Sequence, residues 1–103
     1  RRFAGIVVVN YLHRPLFPHL VAALDAGGVL IYETFMLGNG RFGRPSNPDF
    51  LLRPGELLDV FAGALTPVAF EQGQLAPPQP VVVQRLCAIK DGDAASLRLP
   101  AGG

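Results

Sequence analysis

Residues 6–9 read Ile-Val-Val-Val, four β-branched side chains in succession with no polar residue among them. This run constrains the fold more than any other stretch of the chain. Branched side chains are stiff at χ1 and pack well on a pleated surface. A strand that lacks apolar–polar alternation requires cover on both faces. Residues 5–10 therefore predict a strand buried on both sides, as in a parallel sheet. A buried helix is the alternative for so short an apolar run, and β-branching weighs against it. The strand also calls for neighbours on both of its edges.

After Asn10 the period changes. Leu16, Leu20, Ala23 and Leu24 recur at helical spacing, His19 shares their stripe, and Pro15 and Pro18 fall near the start, where amides lack intrahelical acceptors. This predicts a helix over residues 16–26, stopped by Gly27-Gly28, and a second strand at 29–35. Strand, helix and strand together make a right-handed βαβ unit. From 36 to 53 the pattern lapses into turn residues: Asn39-Gly40, Gly43-Arg44-Pro45 and Asn47-Pro48. Two readings stand for this segment, a lid or site wall and a surface loop tied down by Phe42, Phe50, Leu51 and Leu52. A second helix is expected from Pro54, with Glu56 in its first turn, an apolar face of Leu57, Leu58 and Phe61, and Gly63 at its end. Residues 65–71 and 81–90 predict two strands that close the sheet as a hairpin, with Pro67 at an edge or a strand start. Residues 91–103 read as a flexible tail after a domain over 1–90.

Composition excludes several classes. The chain has 103 residues and formal net charge +1, without the basic stripe of a nucleic-acid binder. Its apolar runs fall well short of the ~20 residues that span a bilayer. One cysteine, Cys87, allows no internal disulfide and sits among apolar residues, which favours a core role. His13, His19 and Cys87 have no metal-site spacing, so no metal is expected. A soluble, cytoplasmic domain fits these features. Four strands and two helices leave one sheet edge open and its faces poorly covered. The chain also reaches its first strand almost at once after Arg1, so it reads as the second half of a doubly wound α/β domain. A standalone small domain is the alternative.

Several segments in order carry a family resemblance. They are Val9-Asn-Tyr-Leu-His-Arg-Pro-Leu-Phe-Pro18, Gly27-Gly-Val-Leu-Ile-Tyr-Glu-Thr-Phe35, Gly38-Asn39, Arg41-Phe-Gly-Arg-Pro45, Phe50-Leu-Leu-Arg-Pro-Gly-Glu-Leu-Leu58, Glu71 with Gly73, and Gln84-Arg85. Together they resemble the C-terminal half of class I S-adenosyl-L-methionine-dependent methyltransferases, in the subgroup related to tellurite-resistance methyltransferases. The resemblance implies a partial Rossmann-like sheet with equivalents of strands 4-5-7-6, the last strand antiparallel. It also implies S-adenosyl-L-methionine as cofactor and a small-molecule methyl acceptor. The family's glycine-rich loop and ribose-binding acid belong to strands that precede this segment, so cofactor affinity is expected to be weak or absent in these residues alone. The missing half, or self-association, is expected to cover the open edge.

Candidate site residues follow from the strand ends, where open α/β sheets place ligands. The resemblance places Asn10, Tyr11 and Leu12 at the cofactor's methionine end; the alternative is a packed strand-to-helix turn. His13 is a base candidate, because free imidazole changes charge near neutrality, or a support for the same turn. Arg14 is a substrate-binding candidate or a solvated arginine. Glu33, near the end of the second strand, is the other catalytic candidate, with anchoring of the following loop as its alternative. Phe35, Asn39, Arg41, Phe42 and Arg44 are candidates to wall the acceptor pocket. The two later arginines suit an anionic acceptor, or pin the loop to Asp49 or Glu56. Arg85 is expected to pair with Glu71 across the final hairpin. Two other functions stay open: a non-catalytic α/β interaction domain, and, more distantly, half of a nucleotide-dependent oxidoreductase.

Overall fold

A computed structural model of the chain describes residues 2–76, 78 and 80–92. Its elements are β1 (Phe3–Val9), α1 (Phe17–Ala23), β2 (Leu24–Phe35), α2 (Glu56–Phe61), β3 (Thr66–Leu75) and β4 (Val81–Ile89). Most of the segment expected to form a tail, residues 93–103, lies outside the described residues. The sheet order is β1-β2-β4-β3. β1 runs parallel to β2, whereas β4 runs antiparallel to both β2 and β3. The result is a mixed α/β sheet resembling part of a Rossmann-like methyltransferase sheet.

Alternation along the strands separates two faces. The rows Ile6–Leu30–Ala88 and Val8–Tyr32–Leu86–Phe70 run across the sheet beneath the helices. Phe17 and Leu20 of α1, with Leu57 and Phe61 of α2, complete this core. Phe17 meets the rings of Tyr32 and Phe61 edge-on, at centroid distances of 5.9 and 5.3 Å. A polar row, Thr34–Gln84–Gln72, lies at the α2 end of the same face. Gln84 is fully buried there: its Oε1 accepts from the Leu57 amide at 2.8 Å, and its Nε2 donates to the Arg53 carbonyl at 2.9 Å. The sheet thus satisfies backbone groups at the start of α2 that the short helix cannot satisfy itself.

The opposite face carries the row Val7–Ile31–Cys87–Ala69, and among the described residues no helix lies over it. Val7 is 65% exposed, Val9 54% and Ile31 45%. The expectation of a first strand buried on both faces is therefore corrected. Among the described residues β1 is an edge strand, paired with β2 alone, and only Ile6 and Val8 turn toward the core.

The helix boundary is also corrected. α1 ends at Ala23, and Gly27-Gly28 lies inside β2 instead of stopping a helix. The β1–β2 register jumps there, from Phe3 opposite Leu24 to Gly5 opposite Val29. Gly27 has φ +80°, and a Cβ on Gly28 would lie 2.8 Å from the Asp25 carbonyl oxygen and 3.1 Å from that of Phe3. The two glycines permit a bulge that no side chain would allow. What ends α1 is Lys90, whose ammonium donates to the Val21 and Leu24 carbonyls at 2.8 Å each. α2 likewise starts later than expected: Gly55, at φ +74°, caps it, and Pro54 precedes the helix. Among the described residues no helix is long and apolar enough to cross a membrane.

Candidate functional site

The carboxyl ends of β1 and β2 point to the same side, because the two strands are parallel. At Asn10 the chain leaves β1 with φ 56°, a left-handed conformation that asparagine adopts more readily than most residues. The Asn10 amide still donates to the Glu33 carbonyl at 2.9 Å, so the turn begins while the strand remains paired. One residue on, the Tyr11 carbonyl accepts from the Tyr32 hydroxyl at 2.6 Å. Burial pushes the Tyr32 pKa up to about 12, so the phenol stays a neutral donor. These two bonds fix the backbone of 10–11 and leave the Tyr11 side chain 54% exposed.

Two adjoining hollows open at this point. One, of about 300 Å³, is lined by Asn10, Tyr11, Leu12, Thr34, Phe35, Pro45 and Phe50. The other, of about 510 Å³, is lined by Phe35, Arg44, Pro45, Ser46, Asn47 and Phe50. They share Phe35, Pro45 and Phe50, so the 36–53 segment forms a wall of both. Of the residues picked from sequence, Asn10, Tyr11, Leu12, Phe35 and Arg44 come together here.

The rest lie elsewhere. Glu33 does not line the hollows; it stands on the uncovered face, where it accepts from Arg85 Nε. Arg85 also donates to Glu71 at 2.8 Å, the pairing expected across the hairpin. Asn39 is 1% exposed, and both ends of its amide are occupied, Nδ2 by the Pro45 carbonyl and Oδ1 by the Val82 amide, at 3.0 Å each. It fastens the wall segment to β4. Arg41 donates to the Gly38 carbonyl and lies 5.2 Å from the Phe42 ring centroid. His13 is exposed and follows the lining residue Leu12 directly.

Arg14 is not a solvated arginine. Its Nε and Nη2 fork onto the Glu56 carboxylate at 2.7 and 3.0 Å, and its Nη groups donate to the Asp49 and Leu51 carbonyls. Glu56, 2% exposed, also accepts from the Arg53 amide at 2.9 Å. Burial by itself would raise the Glu56 pKa, but Arg14 and the Arg53 amide outweigh it and hold the carboxyl below its ordinary value. So Arg14, and not Arg41 or Arg44, pins the wall segment to Glu56. Spacing gave no hint of this, because the partners lie 42 residues apart. Phe50 and Thr34 are lining residues that sequence reading did not assign to the site. Phe50 had only been taken as a tie for the loop. Burial pushes the Cys87 thiol up, and the side chain lies half-buried in the sheet. Among the described residues, no group of three or more His, Cys, Asp or Glu side chains converges as a metal would require.

No protein-family model matches the chain, and no curated protein matches its sequence. Among solved structures it is similar to the N-methyltransferase NodS from Bradyrhizobium japonicum WM9, with a TM-score of 0.66 and 18% sequence identity. The match covers 88% of this chain but 52% of NodS, so the chain spans about half the length of that methyltransferase. The likeness is one of fold: a methyltransferase-like α/β sheet, with the strand-end hollows on its rim.

Proposed function

We propose that this chain supplies the strand 4-5-7-6 half of a class I S-adenosyl-L-methionine-dependent methyltransferase acting on a small molecule, in the subgroup related to tellurite-resistance methyltransferases. The observation that carries the reading is the strand order β1-β2-β4-β3 with β4 antiparallel, and a hollow at the β1 and β2 ends lined by Asn10, Tyr11 and Leu12. The fold likeness to an N-methyltransferase supports it.

The residues fit the group the resemblance implies. An aromatic wall from Tyr11 and a polar amide from Asn10 suit the methionine and sulfonium end of the cofactor. The cofactor, when bound, supplies an electrophilic methyl carbon with a neutral thioether as its leaving group. The chain's own task is to hold the acceptor in line behind that carbon, and positioning of this kind lowers the barrier without a catalytic dyad. Tyr32 and the left-handed turn at Asn10 keep the wall rigid, and the Arg14–Glu56 clamp holds the opposite wall. His13 is the base candidate for a protonated acceptor, since it directly follows the lining segment. Glu33, held by Arg85, serves the sheet. The glycine-rich loop and ribose acid that complete the cofactor site would come from another part of the polypeptide or from a second chain paired along β1.

A second reading, a non-catalytic interaction domain, rests on the uncovered face and open edge. Nuclear magnetic resonance separates the two. Titrating S-adenosyl-L-methionine to millimolar concentration should shift the amides of residues 10–12 and 34–35. Asn10→Gly, which keeps the left-handed backbone and removes the amide, should weaken those shifts. Shifts confined to the open face would favour the interaction domain.

A further inference from the structure

We infer that the two joined hollows form an acceptor site for a planar aromatic molecule bearing a carboxylate, its ring held among Tyr11, Phe35 and Phe50 and its anion on Arg44. The inference rests on the methyltransferase reading for what happens to that molecule, though not for its binding. Three aromatic side chains line the hollows, and two of them, Tyr11 at 54% and Phe50 at 55%, are exposed well beyond what a settled packing role requires. Rings grouped on a concave wall favour a flat apolar body, which gains both burial and edge or face contacts.

The charge at the site is equally specific. Arg14 and Arg53 face Glu56, and Arg41 turns to Gly38 and Phe42. Arg44 lines the larger hollow with no hydrogen-bond or ion-pair partner among the described residues. No lining residue of either hollow is acidic. Asp49, the nearest acid in sequence, exerts its charge on Arg14. An unpaired guanidinium beside aromatic walls presents a fork that matches a carboxylate in two parallel hydrogen bonds. Phe35, Pro45 and Phe50 line both hollows, so a bound ring would reach from Arg44 toward Asn10 and Tyr11, the proposed cofactor end.

The test titrates the 103-residue chain with naphthoate, neutral naphthalenemethanol and cyclohexanecarboxylate, followed by amide shifts. Naphthoate should perturb residues 35, 44, 46, 47 and 50 and bind about tenfold more tightly than the alcohol, the gain of a charge-assisted hydrogen bond, and more tightly than cyclohexanecarboxylate, which keeps the anion but lacks the flat ring. Arg44→Gln should bring naphthoate down to the level of the alcohol while leaving the alcohol unchanged. Phe50→Ala should weaken both aromatic probes. Both positions are exposed, so neither substitution should unfold the chain. Equal affinity for acid and alcohol, or an Arg44→Gln variant that binds naphthoate as the wild type does, overturns the inference. So does the absence of shifts in these residues. Naphthoate binding with S-adenosyl-L-methionine shifts confined to the open face would keep the site and remove the methyl-transfer reading. The converse result would remove the site alone.

Discussion

One sheet presents two faces built from similar residues and treated in opposite ways. Under α1 and α2, the rows through Leu30 and Leu86 are closed over, and polar groups that enter are fully matched. Among the described residues no buried side-chain nitrogen or oxygen lacks a partner. On the other face, Val7 and Ile31 stand in a comparable row with no helix above them among the described residues, crossed by the Glu33–Arg85–Glu71 triad. At the ends of β4, Val83 and Ile89 are covered by the chain itself. The difference teaches that apolar content does not decide burial here; the connections do. Both helices fall on one side of the sheet. The strand-end hollows lie at the rim between the two faces, where Thr34 of the covered face and Phe35 of the open face meet the 36–53 segment.

The sharpest contrast is energetic. Phe61 is 1% exposed and packs on the rings of Phe17 and Tyr32, so Phe61→Ala should cost about 3–5 kcal/mol. That would consume much of the stability of so small a domain. Phe61→Leu, at a smaller cost, keeps the measurement possible if the alanine variant does not fold. Ile31→Ala, at a strand position on the open face, should change stability by about 0.5 kcal/mol or less. Urea denaturation measures both. A large Ile31 effect would break the comparison, because it would mean that the open face is covered in solution.

The clamp on the finished side ranks next. Glu56→Gln leaves the Arg14 guanidinium partly buried without its counter-charge and should cost about 2–3 kcal/mol. Its pH dependence has a definite sign. The folded pKa of Glu56 lies below the ordinary glutamate value. The ionised carboxylate therefore stabilises the fold fully above that value, and the contribution is lost as pH falls through the lower, folded pKa. Denaturation midpoints across the acid range should fall more steeply in the wild type than in Glu56→Gln. Parallel curves would show that the buried pair is neutral in its effect.

The strands were legible because β-branching marks them locally; β4 was placed at 81–90 and runs Val81–Ile89. The pairing of Arg85 with Glu71 was legible too, since a hairpin puts its two strands in contact. Arg85 with Glu33 was not, because that requires knowing that β2 and β4 are neighbours. Gly27-Gly28 misled for a physical reason: glycine ends helices and permits bulges through the same freedom at positive φ. Gly28→Ala should cost about 1–2 kcal/mol by urea denaturation, because the added Cβ would meet the Asp25 and Phe3 carbonyl oxygens at 2.8 and 3.1 Å; an unchanged midpoint would show that the bulge relaxes to admit it. In the site, Asn10 to Leu12 could be found from their place at the carboxyl end of a β-branched run. Phe50 could not, because its role depends on Arg14 drawing the 36–53 segment across the strand ends.

The smallest expected effect bears most directly on the open face. Arg85 is 37% exposed by side chain, with Glu33 at 32% and Glu71 at 69%. Ion pairs this wet are worth about 1 kcal/mol or less, so Arg85→Gln should barely move the denaturation midpoint, and added salt should erase the difference. A layer packed over this face alters the sign of the reasoning. Once water is excluded, Glu33 would lose its counter-charge in a low-dielectric setting, and the same substitution would cost about 3–5 kcal/mol. The comparison to make is therefore Arg85→Gln in this chain against Arg85→Gln with whatever covers the sheet in place. An equal and small cost in both would show that this face stays in water.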